Sequence, residues 1–252
     1  MIEFDRVSFS YGARRILKDV SFSINAHERV AILGESGGGK TTVLKLTLGL
    51  INPDAGRILI DEVKINDKTE DELRPIRMKF SVVFQEGALF DSLSVKENVA
   101  FYLREYTRMS EQEIDERVKE LLRMVGLEYA VEMIPEELSG GMHRRVSIAR
   151  LLAAFESKMF LYDEPTSGLD PANSDIICGL IHDLSKNGKG FVMITQKVTD
   201  AIKVADRFIV LKEGMIIFDG QKEQFIGSTL PELQVFLSEL SLVLKSRSCI
   251  GS

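Results

Sequence analysis

Val30-Ala31-Ile32-Leu33-Gly34-Glu35-Ser36-Gly37-Gly38-Gly39-Lys40-Thr41 is the stretch on which the reading of the fold turns. Its first four residues form an uninterrupted apolar run, the pattern of a strand buried on both faces of a parallel sheet, and Lys40 to Leu48 then carries a helical pattern. Between strand and helix, Gly34 to Thr41 fits G-x-x-x-x-G-K-[ST]. In that motif the glycines let backbone N–H groups turn inward around phosphates without Cβ clashes, and the helix N-terminus adds partial positive charge. Lys40 is expected to reach the β and γ phosphates and Thr41 to hold Mg²⁺. Gly34, Glu35, Ser36, Gly37, Gly38, Gly39 and Thr42 complete the expected nucleotide-binding set. The four fixed positions coincide by chance about once in a hundred chains of this length, so the strand-to-helix setting and companion motifs must carry the rest.

Working outward, short apolar runs recur at Phe80 to Phe84, Met159 to Tyr162, Phe191 to Ile194 and Phe208 to Leu211, with helical patterns among them, which is α/β architecture. Upstream, Val20, Phe22 and Ile24 alternate with Ser21 and Ser23, and Ile2 to Phe9 can pair with them as a small antiparallel layer. The middle is helical: Ser110 with Glu113 makes a capping box, and Ile114, Val118, Leu121, Leu122 and Val125 keep helical spacing up to Gly126. Pro171 after Asp170 opens another helix that Gly188 closes, and Leu230 to Leu244 is amphipathic. The expected organisation is one domain over 1–225, with a core of 1–85 and 156–225, a helical insertion at about 86–155, and a tail at 226–252. No Pro/Ser-rich linker or internal repeat suggests a second catalytic domain.

The chain has 252 residues, 44% hydrophobic and 28% charged, with a formal net charge of −6. That balance suits a globular domain and argues against a nucleic-acid partner, whose phosphates are bound by clustered Lys and Arg. No stretch approaches the roughly 20 apolar residues of a membrane span, and Glu3 and Asp5 stand where a signal peptide would be basic, so a cytosolic location is expected. Two cysteines, Cys178 and Cys249, do not suggest a disulfide framework.

The first companion motif is Met159-Phe160-Leu161-Tyr162-Asp163-Glu164, an apolar strand delivering two carboxylates to its C-terminal end, where open α/β sheets place ligands. Asp163 is expected to support Mg²⁺ and Glu164 to polarise the attacking water. Alone, Asp and Glu before a proline read better as a capped turn; beside the phosphate loop they do not. Leu138-Ser139-Gly140-Gly141-Met142 is the second, and here the chain resembles the ATPases of ABC transporters in wording and position.

The resemblance implies an α/β P-loop (RecA-like) core with an antiparallel β layer and an inserted helical sub-domain. It also implies ATP and Mg²⁺ as ligands, and a homodimer in which Ser139, Gly140 and Gly141 complete the γ-phosphate site of the partner chain. Ser139 can cap a helix whose free N–H groups face an anion. Tyr11 falls where the family stacks an aromatic on adenine. Gln85 falls on the Q-loop glutamine that contacts Mg²⁺ and water, and Ser167-Gly168-Leu169-Asp170 on the D-loop that crosses the dimer interface. One position departs: where the family carries a switch histidine this chain has Gln196, and its only histidines are His27, His143 and His182. Gln196 donates a hydrogen bond but carries no charge, so Glu164 is expected to be the main catalytic group with Gln196 assisting.

Within the family, Gln85 to Leu93, Met142 in the signature and Phe236-Leu237 are similar to the Mce/Mla-type lipid transport ATPases. That likeness implies integral membrane permease subunits, an Mce-type substrate-binding protein reached through them, and a peripheral position on the cytoplasmic face of the inner membrane. Ala88, Leu89 and Phe90 suit either a notch for a permease helix or packing inside the helical insertion. Lipoprotein release, amino-acid import, a non-transport ABC clamp and a degenerate ATP-binding scaffold remain open alternatives. The tail from Leu230 is expected to pack on the partner subunit.

Overall fold

The computed structural model describes residues 1–84, 89–153, 157–186 and 188–248, the last eight as backbone only. Its centre is a six-stranded sheet of β3 (Arg29–Gly34), β6 (Phe80–Val83), β7 (Met159–Asp163), β8 (Gly190–Thr195), β9 (Arg207–Lys212) and β10 (Met215–Gln221). The spatial order is β10-β9-β3-β8-β7-β6, parallel except for β10 at one edge. Every residue of β7 and β8 is buried, which is why these strands read as continuous apolar runs. In front lies an antiparallel sheet of β1 (Ile2–Tyr11), β2 (Arg14–Ile24), β4 (Ala55–Ile60) and β5 (Val63–Lys64), in the order β2-β1-β4-β5.

The two faces of the central sheet feed two separate cores, and strand alternation sorts residues between them. Val30, Ile32, Met159, Leu161, Val192 and Ile194 pack toward the β layer and α1 (Lys40–Thr47), whose Val43, Leu44 and Leu46 join them. Ala31, Leu33, Phe160, Tyr162, Phe191 and Met193 pack on the opposite side, with the helical insertion. That insertion holds α3 (Val95–Tyr106), α4 (Glu111–Met124) and α5 (Gly140–Ala153), after the short α2 (Glu70–Arg77) between β5 and β6. The expected box at α4 is present: the Ser110 N–H donates to Glu113 Oε2 at 2.7 Å and the Glu113 N–H to Ser110 Oγ at 3.3 Å. Ile114, Val118, Leu121 and Leu122 form its buried face.

After β7 come α6 (Pro171–Ser185), α7 (Val198–Val204), α8 (Lys222–Ile226) and α9 (Pro231–Ser248). Asp170 caps α6 by accepting the Asn173 N–H at 3.0 Å. The tail departs from its expected role at its start: Leu233 is fully buried, and Phe236, Leu237 and Leu240 pack against the helical-side core of the same chain. These apolar positions find cover on α7 and its neighbours, so the first turns of α9 belong to this domain. Among the described residues no helix is long and apolar enough to cross a membrane.

Candidate active site

The site lies where β3, β7 and β8 end. Alternation along β7 sends Asp163 to the same face as Met159 and Leu161, the face that α1 covers, and Thr41 Oγ1 in the first turn of α1 lies 3.4 Å from Asp163 Oδ1. Burial, followed by the neighbouring Glu164 charge, pushes the Asp163 carboxyl above its ordinary value. Glu164, the next residue, turns out of the strand with φ +48°, a left-handed backbone that a glutamate holds only when its surroundings fix it. Those surroundings are explicit. The Glu164 N–H donates to the Ile194 carbonyl at 2.8 Å, while its Oε2 accepts from Thr195 Oγ1 at 3.2 Å and from the Gln196 N–H at 3.3 Å.

Lys40 closes the constellation. Its ammonium donates to the Gly34 carbonyl at 2.8 Å and the Glu35 carbonyl at 2.9 Å, and lies 3.6 Å from Glu164 Oε1, with both side chains almost wholly buried. Burial lowers the Lys40 ammonium from its ordinary value, and the Glu164 and Asp163 carboxylates oppose that. All its partners are oxygens, the atoms a phosphate presents. Gly39 precedes α1 at φ +97°, and a Cβ there would lie 2.8 Å from Leu17 Cδ2, so the loop has this shape only with glycine. No side chain caps α1, which leaves its first N–H groups to bind an anion. The loop therefore fits a nucleotide triphosphate, and Thr41 with Asp163 forms a hard-oxygen pair suited to Mg²⁺.

The remaining expected residues lie elsewhere. Ser139 and Gly140 are exposed at the start of α5, where Ser139 Oγ accepts the Met142 N–H at 3.3 Å as a cap. Gly141 is buried, and a Cβ on it would stand 2.6 Å from Asn173 Oδ1, so α5 meets the start of α6 closely at this point. Tyr11, at the end of β1, is 48% exposed and meets Phe9 in an edge-on ring contact, an exposure that suits stacking. Gln85 and Ala88 lie outside the described residues. Leu89 is half-buried against the helical-side core, whereas Phe90 is exposed, over Arg150 at 4.5 Å and beside Phe101. Asn98, fully buried, holds Phe90 by its N–H at 2.8 Å and its carbonyl at 3.1 Å.

Gln196 meets Glu164 through its backbone; its side chain is exposed. None of the histidines takes its place among the described residues. His27 bonds the Gly188 carbonyl, His143 sits on α5 with its imidazole pushed down by burial and by Arg144, and His182 lies on α6. Two residues of the site escaped sequence reading, Thr195 and Lys197, the latter donating to the Thr166 carbonyl at 2.7 Å. Only the alignment of β7 against β8 brings them to Glu164.

A glycine loop on a parallel sheet, a buried lysine, a threonine paired with a strand-end aspartate and a buried glutamate define a P-loop nucleotide hydrolase. The ABC transporter family model matches residues 17–167, and the chain belongs to that family as an ATP-hydrolysing subunit of a transporter. It is 40% identical to the chloroplastic protein trigalactosyldiacylglycerol 3 of Arabidopsis thaliana, over 94% of this chain and 73% of that one. It is 38% identical to the glutamine transport ATP-binding protein GlnQ of Escherichia coli (96% and 100% covered) and 35% to the intermembrane phospholipid transport ATP-binding protein MlaF of the same organism (96% and 90%). Among solved structures, the ATP-binding cassette MJ0796, dimeric in a post-hydrolysis state with ADP and Pi, superposes with a TM-score of 0.80 at 35% identity, covering 88% of this chain and 99% of that one.

Proposed function

We propose that this chain drives a transporter of phospholipid or related hydrophobic cargo between the inner membrane and the cell envelope, as a homodimer beneath integral membrane permease subunits. It would sit on the cytoplasmic face of the inner membrane, with an Mce-type substrate-binding protein reached through the permease. The observation that carries the cargo reading is the likeness, over at least 94% of this chain, to two proteins named for lipids, trigalactosyldiacylglycerol 3 and MlaF. The likeness to GlnQ favours amino-acid import as the second reading. Purifying the chain with its native membrane partners and identifying the co-purified small molecules by mass spectrometry separates the two. Phospholipid with no bound amino acid is the expected result; a bound amino acid without lipid would replace the proposal with the second reading.

In the ATPase reaction, Lys40 and the N–H groups from Gly34 to Thr42 hold the phosphates, while Tyr11 stacks on the adenine. Thr41, Asp163 and Gln85 would hold Mg²⁺, which would supply charge neutralisation to the triphosphate. Glu164 accepts a hydrogen bond from the attacking water and orients it, its other oxygen fixed by Thr195 and by the Gln196 backbone. Gln196 adds a neutral donor at the rim. Ser139 to Gly141 of the partner chain complete the γ-phosphate site, which is consistent with the exposure of Ser139 and Gly140. The unit that does this is the domain 1–225 together with the first turns of α9, which pack on its core.

A further inference from the structure

Two backbone segments meet around Glu164: the turn that follows it, Pro165 to Asp170, and the residues that leave β8, Thr195 to Lys197. The Lys197 ammonium donates to the Thr166 carbonyl at 2.7 Å and lies 3.4 Å from the Leu169 carbonyl and 3.5 Å from Ser174 Oγ. The Lys197 N–H donates to Thr195 Oγ1 at 3.0 Å, and Thr195 Oγ1 donates in turn to Glu164 Oε2 at 3.2 Å. One residue therefore touches both sides of the glutamate: through its backbone it orients the hydroxyl that binds the carboxylate, and through its side chain it gathers the carbonyls of the turn. Thr166 is fully buried and Leu169 packs on the helical-side core, so the turn has a definite seat for the cation to close.

We infer that Lys197 is a positioning residue for hydrolysis, fixing the turn after Glu164 to the end of β8 and thereby holding the direction of the Glu164 carboxylate. The need for such a clamp follows from the φ of +48° at Glu164, a conformation kept only where neighbouring bonds over-determine it. Before the glutamate the strand supplies those bonds; after it, the Pro165 to Asp170 turn supplies short i to i+3 contacts, Ser167 N–H to Glu164 carbonyl at 3.1 Å and Leu169 N–H to Thr166 carbonyl at 3.3 Å. A lysine bound to carbonyls at both ends of this turn resists its opening, and a charge-assisted bond outlasts neutral ones of the same length. The inference rests on Glu164 being the water-orienting carboxylate.

The test uses the full-length chain as wild type, Lys197→Met, Lys197→Arg and Glu164→Gln, read by amide hydrogen exchange without nucleotide and by steady-state ATP hydrolysis. Lys197→Met should speed exchange at Ser167 and Leu169 by roughly tenfold while Ile177 and Ile181 in α6 stay protected. It should lower kcat on the order of tenfold with KM within about twofold, and Lys197→Arg should restore both readouts. Unchanged exchange at Ser167 and Leu169 would overturn the clamp. Faster exchange with wild-type kcat would overturn the positioning role, as would a loss that falls mainly on KM or that arginine leaves unrestored. Wild-type kcat in Glu164→Gln would remove the assignment of Glu164 itself and the inference with it.

Discussion

Asp163 is held in a setting that opposes its own charge. Burial and then Glu164 raise its pKa, so for this acid the stabilising contribution is present below its ordinary value and is lost as pH rises through the raised one. Above that raised pKa the nucleotide-free protein carries an Asp163 charge that its buried setting disfavours. Asp163→Asn should raise its melting temperature by roughly 2 °C at pH 7.5, with the gain shrinking as the pH is lowered, while hydrolysis is lost. Scanning fluorimetry across pH checks this, and a lower melting temperature for Asp163→Asn at neutral pH would contradict it. Cys178 offers a second check. Burial pushes its thiol up to about 12, so alkylation at pH 8 should proceed only as fast as the protein unfolds. Following the Cys178 peptide by mass spectrometry during iodoacetamide labelling measures this; prompt labelling of the native protein would contradict the burial of α6.

At the scale of elements, the approach of α5 to α6 is set at Gly141 and Asn173. Gly141→Ala should cost about 1–3 kcal/mol of stability, because its methyl would meet the Asn173 carboxamide, and Asn173→Ala in the same chain should recover part of that cost. Urea unfolding of the four variants gives the coupling, and strict additivity would show that the two helices can slide apart freely. Much at this scale was legible in the sequence. The capping box at Ser110, the stop at Gly126, the helix start at Pro171 and the phosphate loop are local, written within a few consecutive residues. Among the elements passed over, α2 contains Pro75 among charged residues, and β10 is only half-buried at the sheet edge. Within the site, Lys40, Thr41, Asp163 and Glu164 were legible as motif residues, whereas Thr195 and Lys197 acquire their partners only from strand register. The sequence marks Gln196 by its side chain, yet it meets Glu164 through its backbone.

At the scale of the whole molecule, the β layer and the helical insertion are cores on opposite faces of one sheet, and the site is where that sheet's strands end. The tail begins as part of the same body: removing everything after Gly227 deletes Leu233 from the core, and Leu233→Ala alone should cost about 2–4 kcal/mol in chemical unfolding. A smaller change than about 0.5 kcal/mol would mean that α9 detaches in solution. The phosphate loop and the exposed Ser139–Gly140 start of α5 lie on one chain but, in the proposed reading, serve different nucleotides.

That reading is tested most directly by mixing two inactive variants, Lys40→Ala and Ser139→Arg, and measuring ATP hydrolysis with the membrane partners present. If each triphosphate is shared head to tail, a mixed dimer has one site with both defects and one with neither, so activity should return to roughly a quarter of wild type at equal mixing. Activity that stays at the level of the separate variants would contradict a shared site.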